Sequence, residues 1–351
     1  DLIVKENTAT NGGAGMRILN CVGELSHVDI LDNINPNGAV ATGGGIYAGN
    51  SHLILDYVNV LNNYVPTSGG GAAFGSDQFG TSTTEWHNSV ISGNSCLFSG
   101  GAISFGDSVI LSNVTITQNS ILWNNDDGQA IKGSGNLTIV NSIIRENMGS
   151  TNDDNEIELE TGTLNISYTN LSGAESSINL GSEGVLNWGE GNIDLDPIFC
   201  DPESGDFHLA ENSPCAFSGE DGSNNMGAMD IGCDAIWVPP VLSAIADTSM
   251  DEDSELGLIL SAYSQDGYEI YFEVQSDSSS VYTYIDQDTL TISLMEEWSG
   301  VSEITVVAYS EHGYDINDST SFTLTVNPVD DLPYVDGHIF PLSYDEDFGT
   351  D

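Results

Sequence analysis

The sequence predicts an all-β protein, a parallel β-helix followed by a β-sandwich, and three observations point there. Aliphatic residues recur in fixed columns through the first half of the chain, asparagine recurs at a constant offset from them, and after residue 237 the pattern changes to short alternating strands.

The repeat is 25 to 31 residues long and runs from about residue 12 to 180. One column holds Leu25, Leu55, Trp86, Leu111, Ile139 and Ile166; five residues further on stand Ile30, Val60, Ile91, Ile116, Ile144 and Leu171. Between the two lie His27, Tyr57, Asn88, Asn113, Asn141 and Tyr168. Six residues beyond that column come Asn33, Asn63, Asn94, Asn119 and Asn147, with Ala174 ending the series. Glycines mark another corner at Gly12-Gly13, Gly43-Gly44, Gly69-Gly70, Gly100-Gly101 and Gly128, just before apolar runs such as Gly45-Ile46-Tyr47 and Ala102-Ile103-Ser104-Phe105.

Helix does not explain β-branched, Asn-rich, Gly-punctuated runs without a 3.6-residue stripe. A solenoid does: each copy makes one winding, equivalent strands pair in parallel, aliphatics stack inside, and corner asparagines adopt left-handed backbone or bond to their counterparts above and below. Six windings about 4.8 Å apart give a rod of roughly 30 Å. Leucine-rich and propeller repeats are disfavoured because LxxLxL and WD signatures are missing.

Composition narrows the partners. The 351 residues carry 54 acidic side chains against four basic ones, Lys5, Arg17, Lys132 and Arg145, for a formal charge of −50. Nucleic acid and anionic membrane are excluded as partners, since phosphate binding needs clustered cations. Such self-repulsion calls for screening salt or bound cations, divalent metal being one candidate and acidic solvation in a saline habitat the other. No apolar run spans a bilayer and no signal peptide is present. Beginning at Asp1 and stopping within a repeated pattern, the chain reads as a processed piece of a longer protein.

Five cysteines without a CxxC fit an oxidising compartment. One disulfide is expected within Cys200, Cys215 and Cys233, with three pairings open; Cys21 and Cys96, in strand-like repeats, are expected to be buried thiols.

At this level the pattern resembles the right-handed parallel β-helix proteins, the pectate-lyase-like superfamily in its broad sense. The stretch Gly191-Asn192-Ile193-Asp194-Leu195-Asp196-Pro197-Ile198-Phe199, then Asp201-Pro202, Gly205-Asp206-Phe207-His208-Leu209 and Ser213-Pro214-Cys215, looks like the closing segment of β-helix domains in secreted bacterial surface proteins. The resemblance implies that the ending near Asp230-Ile231-Gly232-Cys233 seals the open end of the coil, with Asp194, Asp196, Asp201 and Asp206 as turn and cap residues. The first domain is placed at 1–236, its closing segment at about 185–236.

Beyond the stiff Val238-Pro239-Pro240, strands are expected at 256–262, 270–274, 290–294, 304–308 and 322–326, about seven in all and enough for a sandwich. Residues 237–330 resemble cadherin-like, immunoglobulin-like modules of bacterial adhesins through Asp251-Glu252-Asp253, Asp288-Thr289-Leu290-Thr291-Ile292, Trp298-Ser299-Gly300 and the ending Phe322-Thr323-Leu324-Thr325-Val326-Asn327-Pro328-Val329-Asp330-Asp331-Leu332-Pro333. Asp345-Glu346-Asp347 repeats Asp251-Glu252-Asp253, so residues 331–351 begin a further, incomplete module. In that family boundary carboxylates bind calcium, which implies Glu252, Asp253, Asp266, Asp330 and Asp331 as Ca²⁺ ligands. Where the family shows an Asp-rich loop, however, this chain reads Ser264-Gln265-Asp266-Gly267-Tyr268.

Two enzyme chemistries known for β-helices make specific demands on the residues. A uronate lyase needs Arg or Lys at its base position, and Lys132 and Arg145 fall on different strands of the repeat. An inverting hydrolase needs spaced carboxylates, for which Asp126, Asp127, Asp153 and Asp154 in neighbouring windings are the candidates; solvated loop, calcium site and acid-base pair all remain open there. No HxxxH, HxH or GxSxG motif occurs. Two functions follow. One is a non-enzymatic structural or adhesive protein of the bacterial surface, extracellular, calcium-stiffened, partnered by itself end to end or by other surface proteins. The alternative is a secreted carbohydrate-active or glycan-binding β-helix with Tyr47, Phe74 and Phe105 as a stacking track.

Overall fold

The computed structural model describes residues 2–36, 42–75, 82–123, 128–149, 155–264, 267–310 and 313–330. It is all-β: six copies of the repeat close about five windings of parallel coil over residues 2–171, followed by several small sheets. No helix among the described residues is long and apolar enough to cross a membrane.

The aliphatic columns are the parallel registers. Leu25, Leu55, Trp86, Leu111, Ile139 and Ile166 pair in sequence, as do Ile30, Val60, Ile91, Ile116, Ile144 and Leu171. Nearly all are fully buried, together with the inward residues of a third file, Ile46, Ala72, Ile103, Ile131 and Ile157. Strand Ile178–Trp188 adds a last rung on Ile157–Ser167, and its Ile178, Leu180, Leu186 and Trp188 complete the core.

Two corners follow from left-handed backbone. His27, Tyr57, Asn88, Asn113, Asn141 and Tyr168 all have φ between 47° and 56°, so a ten-residue strand such as His52–Leu61 bends midway onto two faces of the coil. Asparagine tolerates that geometry better than other residues with a Cβ; where His27 and Tyr57 occupy it, their rings stack at 5.0 Å. At the glycine corner Gly13, Gly43, Gly69, Gly100 and Gly128 share φ of 61° to 72°. A Cβ on Gly43 would come within 2.0 Å of the Ile46 carbonyl oxygen, so no side chain fits.

The third corner carries a buried amide ladder. Backbone N and Nδ2 of Asn33 both donate to Asn63 Oδ1, at 3.0 and 2.9 Å; Asn63 does the same to Asn94, Asn94 to Asn119, and Asn119 to Asn147. The second Nδ2 hydrogen goes to a backbone carbonyl of the preceding winding, as from Asn94 to Val60 O at 2.7 Å. Each interior rung therefore satisfies its side-chain amide completely, which its burial requires. The left-handed residue at this corner is the one before each rung, Asp32, Asn62, Gly93, Gln118 and Glu146, rather than the rung itself. The ladder is also longer than its sequence column. Asn7 donates into Asn33 at the head, and at the foot Asn147 Nδ2 donates to Glu156 Oε2 at 3.0 Å, so a carboxylate ends the series from the following winding.

The second compact unit begins at Pro239. A four-stranded sheet orders Thr248–Asp251, Gly313–Asn327, Gly300–Ser310 and Ile270–Ser276; a three-stranded one orders Leu256–Ile259, Thr289–Leu294 and Val281–Asp286. They share a core of Leu290, Ile292, Ile304, Val306, Phe322 and Leu324. The stretch 256–262 is not one strand, because Ala262–Tyr263 leaves to pair with Val241–Leu242. Thr248–Asp251 and Val281–Asp286 add strands to those read from the sequence.

Asn94→Ala removes the acceptor of two buried donors on Asn63 and is expected to lower unfolding free energy by about 2–4 kcal/mol in urea titration. Asn187→Ala, which deletes an exposed amide bond to Asn165 Oδ1, is expected to change it by less than about 0.5 kcal/mol. Equal effects would mean that the ladder adds nothing through its burial.

Candidate functional site

The closing segment begins on the last winding, where Leu171 N donates to Ile193 O and Ile193 N to Thr169 O, each at 3.0 Å, and then turns along the side of the coil. Phe199–Asp201 and Asp206–Ala210 form an antiparallel hairpin, Ile231–Cys233 pairs in parallel beside it, and the three-stranded patch lies along the flank. The reason is visible in the register Val90, Thr115, Ile143, whose side chains face outward and include two buried aliphatics. Phe199, Phe207, Leu209, Cys215 and Met226 cover Val90 and Ile143. Hydrogen bonds then pin successive windings: Pro202 O accepts from Gln118 Nε2 at 3.1 Å, Ala228 N donates to Thr115 Oγ1 at 3.0 Å, and Gly227 N donates to Asn141 O at 2.7 Å.

Of the three cysteine pairings, the structure selects Cys200 with Cys233, joining the outer strands of this patch. Cys215 is free and fully buried. Asn170 Nδ2 donates to its sulfur at 3.0 Å, yet burial pushes the thiol up to about 12. Cys96 is buried likewise and pushed up to about 11 by the same desolvation. Cys21 departs from expectation: it is exposed, lying in the turn between Met16–Leu19 and Val22–Leu31 instead of facing the core.

Asp201 and Asp206 behave as turn residues. Asp201 Oδ1 accepts from Ser204 N at 3.3 Å, and Asp206 Oδ1 accepts from the backbone amide of His208 at 3.1 Å and lies 2.6 Å from its Nδ1. Those His208 contacts hold the Asp206 carboxyl below the usual carboxylate range. Asp194 Oδ2 accepts from Gly173 N at 3.1 Å, while its Oδ1 meets the guanidinium of Arg145 at Nη1, 2.5 Å away, with Asn170 Oδ1 accepting from the same nitrogen at 3.1 Å. Lys132 Nζ lies 2.7 Å from Glu158 and 3.2 Å from Glu160. Both cations considered for a lyase are thus drawn into ion pairs, each with its side chain 16% exposed.

The aromatic track proposed for the glycan alternative does not exist. Phe74 and Phe105 pair with each other in register and point into the coil, where Phe74 meets Trp86 edge-on at 6.0 Å. Tyr47 pairs with Ala73 and so has the opposite parity; Arg17 approaches its ring at 5.8 Å.

Of the carboxylates proposed for calcium, Asp126, Asp127, Asp153, Asp154, Asp266 and Asp331 lie outside the described residues. The other three come from one end of the second unit. The parallel pairing of Thr248–Asp251 with the end of Gly313–Asn327 brings them there. Glu252 is buried, donates its backbone N–H to Asn327 O at 3.0 Å, and accepts Val329 N on Oε1 at 2.7 Å, which places Asp330 one residue from its carboxylate. Asp253 follows, exposed, with φ of 60°. Hard oxygen donors of this type suit calcium, although no group of three His, Cys, Asp or Glu residues among the described residues has metal-holding geometry.

No family model matches the chain, and no curated protein matches it. Among solved structures it is similar to the endo-fucoidan hydrolase MfFcnA4 from glycoside hydrolase family 107 and to a variant of that enzyme, at 18% and 17% identity, each with a TM-score of 0.21 over 28% of this chain. The likeness spans 16% of the hydrolase chain, and its score is far below that of a shared fold.

Reduction, or Cys200→Ser, opens a loop with a sequence separation of 33 and is expected to lower stability by about 3–4 kcal/mol, read as a denaturant midpoint with and without reductant. Because Asp206 has a depressed carboxyl, its contribution is complete above about pH 5 and falls as acid titrates it through the lower folded value. Asp206→Asn is therefore expected to flatten the melting curve's dependence on pH between about 5 and 3; an unchanged slope contradicts the assignment.

Proposed function

We propose that this chain is a non-enzymatic structural or adhesive protein of the bacterial cell surface, held rigid by its amide ladder and stiffened by calcium at the base of the second unit. The observation that carries the reading is the continuous buried file from Asn33 to Glu156, which the exposed Asn7 extends at its head. From Asn7 to Asn147 each winding is fixed to the next by side-chain amides, which suits a rod that presents its surface along its length. The Cys200–Cys233 bridge supports an oxidising compartment and hence an extracellular or cell-surface location. Resemblance to pectate-lyase-like β-helices and cadherin-like modules supports the same reading, with copies of the chain or other surface proteins as end-to-end partners.

Calcium at Glu252, Asp253 and Asp330 would neutralise carboxylates that otherwise repel one another. At Ca²⁺ one hundred times above its dissociation constant the stabilisation is about 2.7 kcal/mol, several degrees in melting temperature for a unit of this size. Calorimetry with calcium and then with chelator is expected to show that shift, and Glu252→Gln combined with Asp330→Asn to abolish it. A transition that calcium leaves unmoved overturns the metal assignment, and turnover of a polysaccharide overturns the non-enzymatic reading.

A second reading, glycan binding, has its own observation. Phe98 and Trp123, on neighbouring windings, are exposed and stack at 5.7 Å. Neutral oligosaccharides are expected to change the Trp123 fluorescence if this pair binds sugar, and Trp123→Ala to remove that response.

A further inference from the structure

The second unit contains a cavity of about 560 Å³ whose walls are chemically one-sided. Tyr271 and Tyr309, cross-strand partners in register, stack at 5.9 Å along it. Glu269 and Asp288 supply carboxylates, Gln287 an amide and Ile285 part of the apolar floor. The Tyr271 hydroxyl donates to Glu269 Oε2 at 3.1 Å, and the turn between Val281–Asp286 and Thr289–Leu294 sets Asp288, with Gln287 at φ of 56°.

The cavity has a definite place in the sandwich. Ile270–Ser276 and Val281–Asp286 follow one another in the chain but belong to different sheets, and each is the outermost strand of its sheet among the described residues. The cavity lies between the start of the first strand and the end of the second, at the ends away from the short link that joins them. An outermost strand presents backbone donors and acceptors that an extended peptide can continue.

Charge decides what would enter. Residues 239–351 contain no Lys or Arg, and no basic side chain lines the cavity to complement an anionic ligand. A neutral ligand would leave two carboxylates uncompensated beside it, whereas an ammonium or guanidinium satisfies them and is attracted to the tyrosine faces.

We propose that this groove is a docking site for an extended basic peptide, whose backbone adds along strand Ile270–Ser276 while a Lys or Arg side chain enters between the stacked tyrosines and the carboxylates of Glu269 and Asp288. The proposal does not depend on the calcium or rod assignment, because it uses neither the base of the second unit nor the coil.

Titration calorimetry on the whole chain tests it, using the blocked peptide Thr-Val-Lys-Val-Thr as probe. Saturable binding is expected, weakened at least tenfold by Tyr271→Ala and by the conservative Glu269→Gln, and by replacing the probe's lysine with norleucine. Both variants are first checked for an unchanged melting temperature; Glu269→Gln keeps shape and remains informative should Tyr271→Ala unfold. Glu255→Gln, a carboxylate change elsewhere in the unit, is expected to leave binding within twofold. An equal loss from Glu255→Gln, or none from Glu269→Gln, would show mere attraction of cations to an acidic surface and overturn the site. Tighter binding of a glucosamine hexamer than of the lysine peptide would overturn a peptide as its occupant, and full affinity after N-methylation of both valines would overturn pairing along the strand.

Discussion

Everything in the first unit depends on keeping one backbone winding directly above the next, and the buried asparagine file enforces that register. A hydrophobic interior alone tolerates sliding, since aliphatic contacts have no direction. An amide that must find its neighbour's oxygen does not, because displacement leaves several buried donors unmet at once. Windings differ in length, from 25 residues between Asn94 and Asn119 to 31 between Asn63 and Asn94, yet the bonds remain 2.9 to 3.0 Å. Length differences are absorbed outside the file, in the connections between strands.

This explains which parts were legible in the sequence. The aliphatic columns and Asn33 to Asn147 could be read because each position is constrained by the one above it, so type repeats at a fixed offset. Asn7 carries the same signal, three residues after Val4 as Asn33 is three after Ile30, but one isolated copy at the start of a series does not announce itself. Glu156 could not be found by type at all, since a different residue from a different place in the winding does the same job. Phe74 and Phe105 were misassigned through parity: strand neighbours alternate sides, and Tyr47 belongs to the other alternation.

The closing segment was recognisable by its motifs, and its first residues do continue the last winding, but its later hairpin lies on the flank. Its turns and apolar residues say that it must bury a face, while the face it buries is declared elsewhere, by Val90 and Ile143. Outward aliphatics in a coil were the missed signal. Electrostatics shows a similar division of labour. Lys132 and Arg145 pair with carboxylates of later windings or of the closing segment, Lys5 lies 3.4 Å from Glu6, and Arg17 rests near Tyr47, so the four cations of this acidic chain all serve local structure. The second unit has no Lys or Arg to do the same for its carboxylates.

The flank-bound patch also decides how the chain would carry tension. A pull arriving through Pro239 meets the paired hydrogen bonds between Ile236 and Asn212 and then Cys233, whose covalent bridge to Cys200 keeps the 32 residues between the two half-cystines from being drawn out to full length. Because the patch is fastened to Gln118, Thr115 and Asn141 rather than to the final rung alone, the coil cannot unspool from its end until those lateral attachments tear. The bridge and the flank together work as a strain relief, of the kind that keeps a cable from being drawn out of its housing.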